Sequence, residues 1–177
     1  MKKLLTLILC FAGFGVFAQE NPLNKGLSFG FQLNQYQKDF GFGLNATSPL
    51  FLKDHVAIRL RSNLMYLEHL QNEEITWTPY SNVSLGIMSV GGYLTDFLKL
   101  YGEGGVIGIL PNNRFSAKNV AMGGYGLFGF EFFMQNGFNY FIEIGGIGTG
   151  ATADKIATKP IYSNGLSVST GFRVVLP

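Results

Sequence analysis

Apolar and small polar residues alternate along most of the chain after residue 26, in runs as long as a β-strand. Leu27, Phe29, Phe31 and Leu33, for example, alternate with serine, glycine, glutamine and asparagine. A period of two puts successive side chains on opposite faces, so each run predicts a strand with one apolar face. Eight such runs occur, at residues 27–34, 40–45, 56–64, 83–88, 98–110, 128–132, 140–145 and 166–174. We find no convincing helical period after the N-terminal segment.

Turn-forming residues separate these predicted strands. Residues 37–39, 91–92 and 135–137 are polar or glycine links of hairpin type, and residues 48–49, 111–113 and 157–160 interrupt the apolar pattern with proline. We therefore expect short loops throughout. An even number of strands joined in this way can close into an antiparallel barrel that begins and ends on the same side. The pattern predicts an all-β fold, an eight-stranded antiparallel up-and-down β-barrel.

The charged residues indicate which face of the strands meets which environment. Only 14% of the residues are charged, against about 25% in an average soluble domain. The apolar faces carry no charge, whereas the opposite faces carry three cations and three carboxylates: Arg59, Arg61, Arg173, Glu103, Glu131 and Glu143. A soluble, lipocalin-like barrel needs a more heavily charged outer wall. The pattern therefore predicts a transmembrane barrel whose apolar face meets lipid and whose polar face fills the lumen.

Those six charged residues are the predicted site. A barrel of eight strands is only wide enough for side chains to fill it, so charges on its inner face come within reach of one another. In so dry an interior they persist only when they are paired. We expect a structural charge network that plugs the lumen without ion flow; a substrate site is the alternative for the same residues.

Aromatic residues near the predicted strand ends are typical of the girdles at a membrane–water interface. The candidates are Tyr36, Phe40, Tyr66, Trp77, Tyr80, Tyr93, Tyr101, Tyr140 and Tyr162. Core packing in a soluble β-sandwich is the alternative interpretation of these aromatic residues.

The N-terminal segment has the pattern of a cleavable secretory signal. Lys2 and Lys3 precede an apolar run, and Val16-Phe17-Ala18 precedes the expected cleavage after residue 18. We therefore predict a signal peptide at residues 1–18 and a barrel domain at residues 19–177. Cleavage removes Cys10, the single cysteine, and two of the 13 basic residues, which leaves 11 against 11 acidic ones. A mature chain of zero net charge without cysteine indicates neither nucleic-acid binding nor a disulfide scaffold.

The search for catalytic residues turns on two histidines, His55 and His69. With so few ligands, no metal site is predicted. His69 stands beside Glu68 and close to Glu73, as in a lipid-modifying hydrolase, but no serine nucleophile can be assigned to it. The glycine-rich run at residues 146–151 imitates a dinucleotide fingerprint without the helix that such a site needs. We therefore assign no catalytic residue and no cofactor.

Several short motifs resemble small bacterial outer-membrane β-barrels of OmpA/OmpX type. They are Gly-Glu-Gly-Gly at 102–105, Gly-Phe-Glu at 129–131, Ile-Glu at 142–143 and a C-terminal pattern formed by Ser169, Gly171, Val174 and Leu176. The resemblance implies an outer-membrane location, surrounding lipid, recognition by the outer-membrane assembly machinery, and a structural or anchoring role. Alternatives are a barrel subunit of a secretion or surface-assembly complex, with an unknown protein partner, and, less favoured, a lipid-modifying hydrolase.

Overall fold

The computed structural model describes residues 26–71, 74–134 and 137–176, and within them eight strands form one closed barrel. Their bounds are β1 Ser28–Tyr36, β2 Asp39–Thr47, β3 Val56–Gln71, β4 Glu74–Thr95, β5 Leu98–Leu110, β6 Ala121–Phe133, β7 Phe138–Gly148 and β8 Gly165–Val175. The predicted signal peptide at 1–18 and part of the predicted turn at 135–137 lie outside the described residues.

Every strand pairs antiparallel with its neighbours in sequence, and β8 closes the ring by pairing with β1. At the closure Gly30 lies opposite Arg173 and Phe31 opposite Phe172. Closure gives every strand two neighbours in the barrel wall, and the β3–β4 hairpin extends beyond that wall past Leu67 and before Ser81, where its two strands pair only with each other. The predicted eight-stranded antiparallel, up-and-down topology is therefore confirmed. No helix within the described ranges is long and apolar enough to cross a membrane.

The alternation of side chains separates the two faces of the wall as the sequence predicts. On the outer face Phe128 is 75% exposed and Leu44 is 64% exposed, whereas on the inner face Arg59 and Arg173 are buried. Each predicted apolar run thus faces outward, and the polar residues between its members face the lumen.

The barrel has two different ends. Both described chain ends and the connections at 48–55 and 96–97 lie at the terminus end. Among the fully described connections, those at 37–38, 111–120 and 149–164 lie at the loop end. The expectation of short loops is wrong for the last two. These loops bind each other: the backbone N–H of Lys155 donates to Phe115 O at 3.0 Å, and that of Ala117 donates to Asp154 Oδ1 at 2.7 Å.

The predicted hairpin at residues 91–92 is also wrong. Strand β4 runs on through both glycines to Thr95, and the chain reverses at residues 96–97. The pairing register with β5 shifts between Val90 and Gly92, and again between Tyr93 and Thr95. Glycine within a strand is compatible with such a bulge as well as with a turn, so these two glycines mark an irregular strand.

Four of the nine aromatic residues assigned to interfacial girdles lie inside the barrel instead: Tyr36, Tyr80, Tyr101 and Tyr162 are all buried. Two of them use their hydroxyls there, since Tyr80 donates to Asp39 Oδ2 and Tyr101 to Glu143 Oε1, each at 2.6 Å. The ring of a tyrosine can fill a lumen while its hydroxyl donates a hydrogen bond to a buried carboxylate. Phe40, Tyr66, Trp77, Tyr93 and Tyr140 are half-buried or exposed.

Candidate functional site

The six predicted charged residues meet in the half of the lumen near the terminus end. The centre of the cluster pairs two arginines of β3 with a glutamate of β5 and one of β7. Arg59 Nη1 lies 2.7 Å from Glu103 Oε2 and 3.0 Å from Glu143 Oε1. Arg61 spans the same two carboxylates, with Nη2 2.7 Å from Glu103 Oε2 and Nη1 2.6 Å from Glu143 Oε2. These four charge-assisted contacts cross the lumen and connect β3 with β5 and β7.

Arg173 and Glu131 extend the cluster toward the terminus end and bring in a seventh charge. Arg173 Nη1 lies 3.2 Å from Glu131 Oε1, and its Nη2 lies 3.3 Å from Glu143 Oε1. Lys99 of β5, which the sequence analysis missed, places Nζ 2.6 Å from Glu131 Oε2. We call these seven residues the charged cluster: Arg59, Arg61, Lys99, Glu103, Glu131, Glu143 and Arg173.

Inward-facing glycines make room for the large side chains of the cluster. A Cβ at Gly129 would collide with the Tyr101 ring, and one at Gly86 would collide with the hydroxyl of Tyr125. The rings in turn cover the guanidinium groups: the Arg59 Cζ lies 5.0 Å from the centroid of Tyr101. Small residues on one strand thus accommodate arginine and tyrosine from another, which keeps the lumen filled.

A chain of amide side chains connects the charged cluster to the middle of the lumen. Asn45 accepts from Arg173 Nε at 3.1 Å and donates to Gln32 Oε1 at 2.9 Å. Gln32 donates to Asn63 Oδ1 at 2.9 Å, and Asn63 donates to Asn82 Oδ1 at 2.7 Å. Because each amide both donates and accepts, buried polar groups can be satisfied in sequence across four strands.

The loop end of the lumen is filled by apolar side chains instead. We call Tyr80, Phe115 and Tyr162, whose rings pack edge to face with centroids 5.0 to 6.1 Å apart, the aromatic plug. Phe115 and Tyr162 come from the two long loops. Asp39 fixes the second loop by accepting from the backbone N–H of Ser163 at 2.6 Å. Burial raises the pKa of the Tyr162 hydroxyl, which keeps this residue neutral in the plug.

Neither histidine belongs to a complete catalytic constellation in the described part of the chain. His69 lies half-buried near the end of β3, with Nε2 2.9 Å from Thr78 Oγ1, and its buried Nδ1 has no hydrogen-bond partner there. Thr78 is itself buried, and Glu73 lies outside the described residues. His55 is exposed at the terminus end, 2.6 Å from Lys53 O. No metal-binding group of three or more His, Cys, Asp or Glu residues occurs among the described residues.

Lys99, the luminal charge that the sequence analysis missed, has a signal in the sequence. Lys99 has the same parity as Tyr101 and Glu103, so the inward face of that run was readable. The looser alternation of this segment hid the lysine. Phe115 and Tyr162 of the aromatic plug, in contrast, have no sequence signal, because they lie in loops where parity gives no direction.

Comparison with known proteins agrees with the architecture. A crystal structure of the N-terminal β-barrel domain of Pseudomonas aeruginosa OprF matches this fold with a TM-score of 0.59, over 85% of this chain and 96% of that chain. The fold is that of an OmpA-type eight-stranded barrel. Sequence identity to the OprF domain is 13%, so the two chains share the architecture and little of their sequence. No family model matches the sequence, and no curated protein does.

Proposed function

We propose that the protein is an outer-membrane β-barrel with a structural or surface-anchoring role and a side-chain-plugged, non-conducting lumen. The observation that carries the proposal is the contrast between its faces. The outer wall exposes large apolar side chains from all eight strands, while the inner wall buries ion-paired residues. A chain that exposes its hydrocarbon and buries its charge is adapted to lipid around it.

The dimensions of the barrel support this location. Strand β8 has 11 residues, which at about 3.3 Å per residue and a tilt of about 40° span about 28 Å along the barrel axis. The apolar band of outer-membrane barrels is about 25 Å tall. Val174 and Leu176, the hydrophobic positions of the expected assembly signal, are exposed on the outer wall. Surrounding lipid and the assembly machinery are therefore the partners that we propose.

The packing of the lumen supports a closed barrel. Ions would have to displace the charged cluster near the terminus end and the aromatic plug at the loop end. The cluster is held by seven ionic contacts of 2.6 to 3.3 Å between buried side chains. Breaking such contacts without a replacement partner is strongly unfavourable, so we expect no steady current.

Fractionation and planar-bilayer recording test the two parts of the proposal. We expect the protein in the outer-membrane fraction, with a folded band whose mobility on a denaturing gel changes after boiling. We expect no steady conductance when the purified protein is inserted into a planar bilayer. Recovery as a soluble periplasmic protein without a heat-modifiable band would overturn the location. A steady open channel from the wild-type protein would overturn the closed lumen.

The His69–Thr78 contact permits one enzymatic test. A lipid-modifying hydrolase would release acyl chains from phospholipid, and His69→Ala would abolish the release. Under our proposal the purified wild-type protein releases none, and His69→Ala leaves folding and lipid composition unchanged. Acyl release that is lost in His69→Ala would replace the structural assignment by a catalytic one.

A further inference from the structure

A small polar cavity lies beside the charged cluster at the terminus end of the lumen. Its volume is about 20 Å³, slightly more than one water-sized sphere needs. Among the described residues that line it, three are cationic and one is acidic: Arg59, Lys99, Arg173 and Glu131. The charged part of the lining is therefore net positive.

The charged cluster as a whole has the same imbalance. It contains four cations and three carboxylates, all of them buried. The other buried carboxylate in the described ranges, Asp39, is hydrogen-bonded to Tyr80 and to the backbone of Ser163 at the loop end. Asp39 lies six residues along β2 from Asn45, the partner of Arg173, which is about 20 Å. It is too far away to pair with the cluster.

An uncompensated charge in a buried site is costly, so a counter-ion that fits the site is favoured there. Arg59 and Arg61 both pair with Glu103 and Glu143. Lys99 and Arg173 share Glu131, and Arg173 also lies 3.3 Å from Glu143 Oε1. Arg173 Nη1 has no hydrogen-bond partner, and its ionic contact is with Glu131 Oε1 at 3.2 Å. The surplus of positive charge is thus located on the side of the cluster that borders the cavity.

Neutral donors in the lining suit an anion as well. Thr47 Oγ1 accepts from Arg59 Nε at 2.8 Å, so its own proton is directed elsewhere. Ser28 contributes a second hydroxyl to the lining. Hydroxyl, ammonium and guanidinium groups are all hydrogen-bond donors, and a small anion can accept from several of them at once.

We propose that this cavity, lined by Lys99, Arg173, Arg59, Thr47 and Ser28, binds a single halide ion, chloride in the cell envelope. The positive surplus selects an anion. The cavity admits an ion of atomic size, and one surplus positive charge matches a monovalent anion. The bound ion supplies the fourth negative charge of the cluster and stabilises the folded barrel.

Unfolding at constant ionic strength tests this directly. The purified protein in an uncharged detergent is unfolded in urea, followed by Trp77 fluorescence, while sodium gluconate is replaced stepwise by sodium chloride. We expect the unfolding equilibrium constant to fall as the chloride concentration c rises, in proportion to 1/(1 + c/Kd), which is about elevenfold at ten times the chloride dissociation constant Kd. Bromide should act like chloride, because it has the same charge and a similar radius. A wild-type protein indifferent to chloride would overturn the proposal.

Lys99→Met tests the origin of the effect, with Lys118→Met as the matched control. Lys118 is exposed in the loop at 111–120, at the other end of the barrel. Without Lys99 the cluster is balanced, so the chloride effect should vanish, whereas Lys118→Met should retain it in full. If Lys99 only holds Glu131 in place, Lys99→Met should lower the free energy of unfolding by the same amount with and without chloride. That result would contradict our inference.

Crystals of the wild-type protein grown in sodium bromide give an answer that does not depend on a variant folding. We expect an anomalous difference peak in the cavity between Lys99 and Arg173, and a much weaker peak in Ser28→Ala. Water density without anomalous signal in the wild-type cavity at saturating bromide would refute the site. The anomalous signal does not depend on whether the protein lies in a membrane. Heat-modifiable mobility in chloride-free buffer tests the proposed outer-membrane barrel separately.

Discussion

The two halves of the lumen are filled in different ways. Near the terminus end the charged cluster consists of side chains from strands alone, β3, β5, β6, β7 and β8. At the loop end the aromatic plug combines Tyr80 of β4 with Phe115 and Tyr162 from loops. The charged half therefore forms only when opposite walls of the barrel meet, whereas the apolar half also requires two loops to fold inward.

This difference has an energetic consequence. Buried ion pairs are costly to break singly, because each loss leaves an unpaired charge in a dry interior. An apolar plug loses contact area and leaves a cavity, but it leaves no stranded charge. The charged half should thus be coupled to unfolding of the whole barrel, and the plug should be able to open locally.

The largest expected effect comes from Arg173→Ala. Glu131 and Glu143 each lose one ionic partner, and we expect a loss of about 3–5 kcal/mol in the free energy of unfolding. Urea unfolding in lipid, together with planar-bilayer recording, measures the effect. A variant as stable as the wild type would show that the charged half does not hold the barrel together.

Phe115→Ala should produce a smaller and more local effect. The substitution removes the ring that contacts Tyr80 and Tyr162. We expect the free energy needed to open the two loops to fall by about 3 kcal/mol. We expect faster hydrogen exchange and proteolysis in residues 111–120 and 149–164, with the strands still protected. Equal loss of protection in β3 and β8 would mean that the two halves form a single cooperative unit.

Two glycine substitutions in β6 test whether small inward-facing residues are needed to pack the charged half. A Cβ at Gly129 would collide with the Tyr101 ring, whereas one at outward-facing Gly126 has its nearest neighbour at 3.9 Å. We expect Gly129→Ala to lose about 1–3 kcal/mol in the free energy of unfolding by overpacking, and Gly126→Ala to be neutral or slightly stabilising. Urea unfolding of both variants decides; equal losses would indicate a common strand effect rather than luminal crowding.

The smallest destabilisation is expected outside the lumen, at Phe172→Ala. Phe172 packs against Phe138 and Tyr140 with ring centroids 5.0 and 5.4 Å apart. Removing the ring should lower the free energy of unfolding by about 1 kcal/mol, and the planar-bilayer conductance should stay at zero. A loss as large as that of Arg173→Ala would show that the outer wall contributes as much as the charged cluster.

Much of the charged half could be predicted from the sequence. A strict period of two gives each of Arg59, Arg61, Glu103, Glu131, Glu143 and Arg173 a face, and closure of a narrow barrel then brings that face together. The particular pairs could not be predicted, because they depend on the stagger between strands. Lys99 lay within reach of the same argument, since it shares the parity of Glu103.

The apolar half was beyond this reasoning. Tyr36 and Tyr80 have inward parity, but aromatic residues at strand ends also suit an interface, and the alternation does not distinguish the two roles. For Tyr162 there is no parity, since it lies in a loop. The bulge at Gly92 was mistaken for a turn because glycine permits both conformations.

The alternation along the chain by itself determined the number of strands, their two faces and the polarity of the lumen, because a side chain's face follows from its position in a strand. Only the tertiary structure decided which cations meet which carboxylates, that Lys99 leaves the cluster one positive charge in excess, and that two loops fill the mouth. Those features depend on stagger, barrel radius and loop conformation. They are set by contacts between residues distant in sequence, as in the 2.6 Å contact between Arg61 and Glu143.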